Sequence, residues 1–306
     1  MKNDAFAGFH PVINFFYFVF VIVCSMLFMH PVFLGISLIS AALYAVYLNR
    51  RRAVKFLLAV ILPMMVLLAI LNPVFNHAGA TILVYVNDNP VTLEAILYGG
   101  AAAVMMGAVF IWFSCYNAVM TSDKFIYLFG RVIPALSLIF SMVLRFVPKF
   151  KAQIKVISNA QKCVGRDVSN GKFWKRIRNG VRILSILVTW ALENAIETAD
   201  SMRSRGYGLR GRTSYSNYRF DRRDGFSLGL LGGLAAVVLF GAFAGWNDIV
   251  YFPAIYALPM TAASFVVYIA YAAFCLFPLA ADLYADAAWA RRRCGVPVRS
   301  GETAEG

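Results

Sequence analysis

The stretch "MRSRGYGLRGRT", Met202–Thr213, decides between two fold classes. Its three glycines are spaced G-x-G-x-x-G, the dinucleotide-binding fingerprint, and Asp224 follows where that motif expects a ribose-binding acid. In a dinucleotide-binding α/β fold, a buried strand leads through the glycines into the start of a helix. Here a helical pattern, from about Val181 to Arg205, precedes the glycines, and a polar stretch follows them. The order is reversed, so the sequence favours an all-α chain in which Gly206 caps a helix.

The helix predicted before Gly206 carries one polar stripe. Its members recur every three or four positions, as expected for one helix face: Arg182, Ser185, Thr189, Glu193, Glu197 and Asp200. The other faces are apolar, so we expect them to rest against the membrane or other helices. Arg203 and Arg205 lie in the last turn, where the helix dipole favours cations. A second helical pattern begins near Pro148 and ends at Gly165, a suitable C-terminal cap.

The composition places this helical chain in a membrane. Of 306 residues, 60% are hydrophobic and only 14% are charged, against about 45–50% and about 25% in an ordinary soluble domain. Each membrane crossing takes roughly 20 apolar helical residues. Apolar runs occur at about 12–29, 32–48, 53–71, 94–119, 226–245 and 254–280. We therefore predict an all-α polytopic membrane protein with about six transmembrane helices and long amphipathic cytoplasmic helices.

The distribution of charge predicts the orientation. The net charge is +14, and residues 145–224 hold 18 of the 29 basic residues but only 6 of the 15 acidic ones. With six crossings, every basic cluster falls on one side, which the positive-inside rule makes the cytoplasm. Both termini are then cytoplasmic, in a multi-pass protein of the cell membrane. The predicted division is 1–120, N-terminal transmembrane helices; 121–224, coupling-helix region; 225–290, C-terminal transmembrane helices; and 291–306, cytoplasmic tail.

One further apolar run leaves the topology open. Phe125–Leu144 is long enough to span, but it carries Arg131, whose insertion costs about 2.5–3.5 kcal/mol at a helix centre. We expect an interfacial helix, or one packed against the bundle, with a kink allowed by Pro134. The alternative is a seventh crossing, which would place Arg291–Arg293 outside the cell.

We recognise no catalytic, metal-binding or phosphate-binding motif in the sequence. The three histidines lie apart, near predicted segment ends, and the five cysteines show no C-x-x-C spacing: His10, His30 and His77; Cys24, Cys115, Cys163, Cys275 and Cys294. The stretch "GRDVSNGK", Gly165–Lys172, resembles a phosphate-binding loop, but its spacer is one residue too long and Phe173 replaces the required Ser or Thr. We predict no catalytic residue, cofactor or metal, no nucleic-acid partner, and a lipid bilayer as environment.

Acidic residues avoid the middle of the predicted spans. They occur only near span edges, at Glu94, Asp248, Asp282 and Asp286. Transporters of polar cargo usually place ionisable groups or broken helices near the midplane. We therefore expect the helical bundle to be a scaffold without a substrate site of its own. A self-contained secondary transporter or channel is the alternative. A lipid-modifying membrane enzyme is a third hypothesis, but it should show clustered Asp or His at an interface, and we see no such cluster in the sequence.

Three stretches resemble the transmembrane T component of energy-coupling factor (ECF) transporters, the EcfT/CbiQ-like family. They are "VLRFVP" at 143–148, "NAQKCVGRD" at 159–167 and "WALENAIETADSMRSRGYGLRGRTSY" at 190–215, and the resemblance covers nearly the whole chain. It implies a coupling subunit that joins two cytosolic ATPases to a membrane substrate-binding S component. ATP hydrolysis would belong to the ATPases, and the choice of vitamin, cobalt or nickel cargo to the S component.

The resemblance also implies two docking motifs. In that family each of two coupling helices ends in Ala-Arg-Gly, which docks into a groove on one ATPase. The second motif falls at Ser204-Arg205-Gly206 and the first at Cys163-Val164-Gly165, which lacks the Arg. Either Arg166 takes its place, or this contact relies on packing. Supporting residues on the second coupling helix are Glu193, Glu197, Asp200, Met202, Arg203, Tyr207, Gly208 and Arg212.

Overall fold

The computed structural model describes residues 5–76, 78–86, 89–130, 134–169, 172–207, 218–246, 249–253, 255–257 and 261–294. The chain divides into two compact units. The first unit comprises Met1–Thr121 with Tyr218–Gly306, and the second comprises Ser122–Asn217.

Helices make up most of the described residues. After a 3-10 turn at Phe6–Gly8 they are α1 Pro11–Leu27, α2 Pro31–Phe56, a π-helical turn Leu57–Ile61, α3 Leu62–Phe75, α4 Leu93–Val119, α5 Ser122–Gly130, α6 Pro134–Cys163, α7 Phe173–Ser204, α8 Arg222–Phe243 and α9 Ala262–Cys294. The strands form two small antiparallel pairs, β1 Ile82–Val86 with β2 Asn89–Thr92, and β3 Ile249–Val250 with β4 Tyr256–Ala257. The predicted all-α class is confirmed.

Four helical stretches of the described chain are long and apolar enough to span a membrane. They are Pro31–Phe75, Leu93–Val119, Arg222–Phe243 and Ala262–Arg291, and α1 is a shorter apolar helix. The 45-residue stretch is broken at Arg50, where the backbone adopts φ 37° and ψ −111°. This break falls between the second and third predicted runs. The chain is thus a membrane-embedded helical protein, whereas the cytoplasmic location of its termini remains a prediction.

The last predicted run, 254–280, has the wrong limits. Residues 256–257 form β4, and α9 begins at Ala262 and continues to Cys294. The part of α9 beyond the predicted run includes Asp282 and Asp286. The backbone N–H of Phe6 donates to Asp282 Oδ1 over 2.7 Å, and the Tyr47 hydroxyl donates to Asp286 Oδ2 over 2.8 Å. Both acids serve to attach other segments to the helix.

A buried polar network lies within the core of the first unit. The hydroxyl oxygens of Ser25 and Ser37 are 2.6 Å apart, and Trp112 Nε1 donates to Ser37 Oγ over 3.0 Å. The Tyr271 hydroxyl lies 3.2 Å from Ser25 Oγ. Buried polar groups need such partners, because an apolar environment offers no water. The network joins α1, α2, α4 and α9.

Two of the three histidines begin helices. His10 and His30 each precede a proline at the first helical position, and each Nδ1 accepts the backbone N–H two residues on, over 3.3 Å. Side-chain acceptors at this position satisfy an amide that the helix leaves unpaired. His10 and His30 therefore lie at segment ends, as predicted, while His77 lies outside the described residues.

Candidate partner-binding site at two helix ends

The second unit presents α6 and α7 as a helical hairpin. The rings of Phe150 and Trp190 pack edge to face with their centroids 5.9 Å apart. Lys149 Nζ donates to Asn194 Oδ1 over 2.6 Å and lies 5.4 Å from the centre of the Trp190 ring. These contacts lie near the middle of each helix, so the pairing is not confined to the turn.

Both helices begin earlier than the sequence predicts. The predicted start near Pro148 is wrong, since α6 begins at Pro134 and carries Pro148 inside it. A proline removes one helix hydrogen bond, but Phe146 and Phe150 stack across it with centroids 5.9 Å apart. The predicted start at Val181 is also wrong, because α7 begins at Phe173.

The apolar run 125–144 includes parts of two helices, α5 up to Gly130 and α6 from Pro134. Arg131 lies outside the described residues, as do the two residues that follow it. The kink at Pro134 therefore stays a prediction.

The end of α6 is held against the start of α7. Asn179 Nδ2 donates to the backbone carbonyl of Asp167 over 2.9 Å, and Arg176 Nε donates to that of Val168 over 2.8 Å. Hydrogen bonds from Ser169, with a smaller contribution from Lys162, lower the pKa of the Asp167 carboxyl. The described part of the connection that follows α6 is therefore held to the first turns of α7 by hydrogen bonds.

The end of α6 has the geometry of a Schellman motif. Gly165 adopts φ 76°, in the left-handed region that glycine tolerates. Its N–H donates to the carbonyl of Lys162 over 3.0 Å, and the N–H of Arg166 donates to that of Gln161 over 2.9 Å. These two bonds define the motif.

The end of α7 repeats this geometry. Gly206 adopts φ 77°, as its predicted capping role requires. Its N–H donates to the carbonyl of Arg203 over 3.0 Å, and the N–H of Tyr207 donates to that of Met202 over 3.0 Å. Ser204 Oγ also donates to the Ser201 carbonyl over 2.9 Å.

Because the two capping glycines are equivalent, the residues around them correspond position by position. Cys163 corresponds to Ser204, Val164 to Arg205, and Arg166 to Tyr207. Val164 is 65% exposed, and Arg205 is exposed with no ion pair or hydrogen bond from its guanidinium to the described residues. Arg166 thus lies two positions beyond the place that Arg205 occupies.

The two ends are well separated. The bond between Asn179 and Asp167 fixes the α6 end beside the start of α7. Gly206 follows Asn179 by 27 residues, which is about 40 Å at roughly 1.5 Å per helical residue. The hairpin therefore presents two similar helix ends at two distinct points.

The other predicted residues of α7 differ in how far they are exposed. The polar stripe of α7 is exposed along its length, including Glu193, Glu197 and Asp200, as predicted. The apolar face away from this stripe is mostly uncovered within this unit, with Val181, Leu184 and Val188 between 50% and 59% exposed. Arg203 is exposed and Met202 is half-buried. Gly208 and Arg212 lie outside the described residues.

Sequence reasoning missed Asn179 and Asp167, which orient the first helix end. The one available signal was an amide in an otherwise cationic and apolar stretch, "FWKRIRNGVRIL". Among the described residues, no group of three His, Cys, Asp or Glu side chains is placed to hold a metal ion.

Comparison with known proteins identifies the family. A family model described as a cobalt transport protein, CbiQ, matches residues 9–215. The energy-coupling factor transporter transmembrane protein EcfT of Bacillus selenitireducens is 35% identical over 111 residues, 36% of this chain and 41% of that protein. EcfT of Lactococcus lactis is 38% identical over 90 residues, 29% of this chain and 34% of that protein.

A longer match covers most of the chain. EcfT of Listeria innocua is 29% identical over 235 residues, 70% of this chain and 88% of that protein. The first two relatives, by contrast, are matched over less than half of their own length. Because the family match runs from the start of α1 past both helix ends and covers more than half of the sequence, the chain belongs to the CbiQ cobalt transport protein family, as an EcfT/CbiQ-like T component.

Proposed function

We propose that the chain is the scaffold and coupling subunit of an ECF-type importer. It transmits ATP-driven motion from two cytosolic ATPases to a membrane S component that binds a vitamin or a transition metal ion. The observation that carries this proposal is the pair of equivalent helix ends, Gly165 and Gly206, about 40 Å apart along one hairpin. Two similar docking points suit two similar ATPase subunits.

The second helix end supplies a charged contact. Arg205 precedes the capping glycine and its guanidinium is exposed. The planar guanidinium pairs bidentately with a carboxylate, which a lysine ammonium does not. We assign Arg205 the central role in this contact, with Ser204 and Gly206 setting its geometry.

The first helix end supplies an apolar contact. Val164, at the position equivalent to Arg205, is 65% exposed and offers no charge. We propose that this end docks by packing and that Arg166 lies too far along the turn to replace the missing arginine. Cys163 and Gly165 complete this end.

The uncovered apolar faces of α7 suit a membrane partner. Leu184 and Val188 are exposed on the side of α7 that faces away from its polar stripe. Exposed apolar area of this extent is typical of surfaces that meet lipid or another protein. We assign these faces to the bilayer and the S component.

Recruitment of the ATPases tests the proposal. The chain is co-expressed with its two candidate ATPases and purified through a tag on the chain, as wild type, Arg205→Ala and Arg203→Ala. Loss of one partner of a desolvated charge pair costs about 2–5 kcal/mol of binding, or roughly 30-fold to several-thousand-fold in affinity. Arg205→Ala should therefore lose the ATPases while it still inserts into the membrane.

Arg203→Ala is the control for this experiment, and a transport assay tests the alternative hypothesis. Arg203→Ala removes an exposed arginine from the same last turn, with the same loss of charge, and should retain the ATPases. If Arg205→Ala retains them as fully as the wild type, the docking role fails. If the purified chain alone transports substrate in liposomes, the self-contained carrier hypothesis is correct.

A further inference from the structure

A cleft opens beside the break in α2. Its volume is about 290 Å³, and residues of α2 and the last turns of α4 line it. Ala45, Ala53 and Cys115 are buried and form an apolar floor. Asn49 and Arg52 line the same cleft and are exposed. The cleft thus combines an apolar floor with a polar mouth.

The backbone at the cleft is unusual. Arg50 is the one residue other than glycine that adopts a positive φ among the described residues. L-residues rarely adopt this conformation, and it persists where the surrounding structure holds it, often at binding sites. The break separates Asn49 and Arg52, the two polar residues of α2 at the mouth, onto its two sides.

Positively charged side chains cluster beside the break in α2. Arg50, Arg51, Arg52 and Lys55 lie within six residues, and the sequence between Ala5 and Asn87 contains no Asp or Glu. None of these four cations forms a salt bridge within the described part of the chain. From the packed helix α9, Asp286 faces this part of α2, where it accepts the Tyr47 hydroxyl hydrogen bond. Among the described residues, therefore, no carboxylate forms an ion pair with Arg52.

We propose that this cleft binds the phosphate of an anionic phospholipid headgroup. The Arg52 guanidinium suits bidentate pairing with phosphate oxygens. The Asn49 amide and the half-buried Ser114 hydroxyl, which also lines the cleft, are further hydrogen-bond donors. The cleft is too small to enclose a whole lipid, so it holds the headgroup and the acyl chains stay in the bilayer.

The position along α2 fits this ligand. Residues 31–48 contain no charged side chain, and 18 helical residues extend about 27 Å, close to the roughly 30 Å thickness of the hydrocarbon core. Arg52 therefore lies at headgroup depth. Basic pockets between membrane helices recognise anionic headgroups in general. α2 and α4 belong to the first unit, whereas the two helix ends belong to the second.

Native mass spectrometry of the purified full chain tests the site. Protein in neutral detergent is titrated with phosphatidylglycerol or phosphatidylcholine, with and without inorganic phosphate. We expect one phosphatidylglycerol to bind in preference to phosphatidylcholine, and inorganic phosphate at millimolar concentration to leave it bound. Arg52→Gln should weaken this binding roughly tenfold or more, as expected for loss of a charge-assisted hydrogen bond.

Arg51→Gln is the matched control, because it removes the same charge from the same cluster without lining the cleft. Binding within about twofold of the wild type is expected for it. Equal losses in both variants would show diffuse attraction and overturn the site, as would equal binding of the two lipids. Displacement by inorganic phosphate would overturn the lipid assignment and indicate a free phosphate ligand. If Arg52→Gln fails to fold, Asn49→Ala with Ser114→Ala tests the same cleft.

Discussion

Val164 and Arg205 occupy the same position at two helix ends of the same geometry. Each directly precedes a glycine, with φ of 76° and 77°, and each pair of capping hydrogen bonds measures 2.9–3.0 Å. The backbone is therefore equivalent at the two ends, and the side chains differ. Any difference between the two partner contacts should come from those side chains.

Val164→Arg should convert the first helix end into a copy of the second. Because Val164 is 65% exposed, an arginine fits there without displacing packed atoms. We expect normal folding and ATPase binding that is unchanged or tighter, measured as retention of the ATPases during purification.

Arg166→Ala, at the position equivalent to Tyr207, should change retention less than about twofold. Strong loss in Arg166→Ala would show that Arg166 does replace the missing arginine.

Cys163 offers a native probe of the first contact. It is exposed, whereas Cys24, Cys115 and Cys275 are buried, and replacing Cys294 with serine leaves Cys163 as the thiol to be followed. Maleimide should modify it readily in the isolated chain and several-fold more slowly in the ATPase complex, since only an accessible thiol reacts. A cysteine at Lys151, also exposed on α6 but about 18 Å before Cys163 along the helix, should keep its rate. Unchanged labelling of Cys163 in the intact complex would exclude docking at this end.

Local patterns predicted the caps correctly, whereas long-range packing determined what the sequence missed. Gly165 and Gly206 follow directly from the preceding helical patterns, because a cap depends on neighbouring residues alone. The early start of α7 comes with hydrogen bonds from Arg176 and Asn179 to the carbonyls of Val168 and Asp167, partners 8 and 12 residues away that no local pattern indicates.

The same distinction holds in the first unit. The apolar runs predicted the helices, but the extension of α9 includes Asp282, whose hydrogen-bond partner Phe6 is 276 residues away. The network of Ser25, Ser37 and Tyr271 likewise joins residues far apart in sequence. Such partners need the assembled fold, so the interior looked purely apolar in the sequence.

The orientation of the chain predicts which introduced thiols are accessible from outside the cell. A cysteine at Asn87 lies in a loop region without Lys or Arg, and a cysteine at Ser300 follows the Arg291–Arg293 cluster. By the positive-inside rule, a membrane-impermeant maleimide should label the first in intact cells and the second only after lysis. Labelling at Ser300 in intact cells would mean that the chain crosses the membrane an odd number of times, with 125–144 the first candidate for the extra span.

Replacing the capping glycines with alanine should separate cap geometry from side-chain chemistry. Gly165→Ala adds a Cβ that meets no heavy atom within 4 Å, so its cost comes from φ 76° alone. That cost is about 1–2 kcal/mol for an L-residue in the left-handed region. Gly206→Ala, at φ 77°, carries the same penalty, and relieving it would move Arg205.

Gly180→Ala is the matched control for these two variants. Gly180 lies inside α7, its added Cβ also meets nothing within 4 Å, and its φ is not positive. Alanine there should stabilise the helix by about 0.5–1 kcal/mol. Thermal unfolding in detergent, followed by circular dichroism, should therefore move in opposite directions for Gly180→Ala and for the two cap variants. ATPase retention should fall for Gly206→Ala even though Arg205 is still present, because the arginine no longer projects along the same direction. If Gly206→Ala and Gly180→Ala bind the ATPases equally well, the capping geometry does not position the contact.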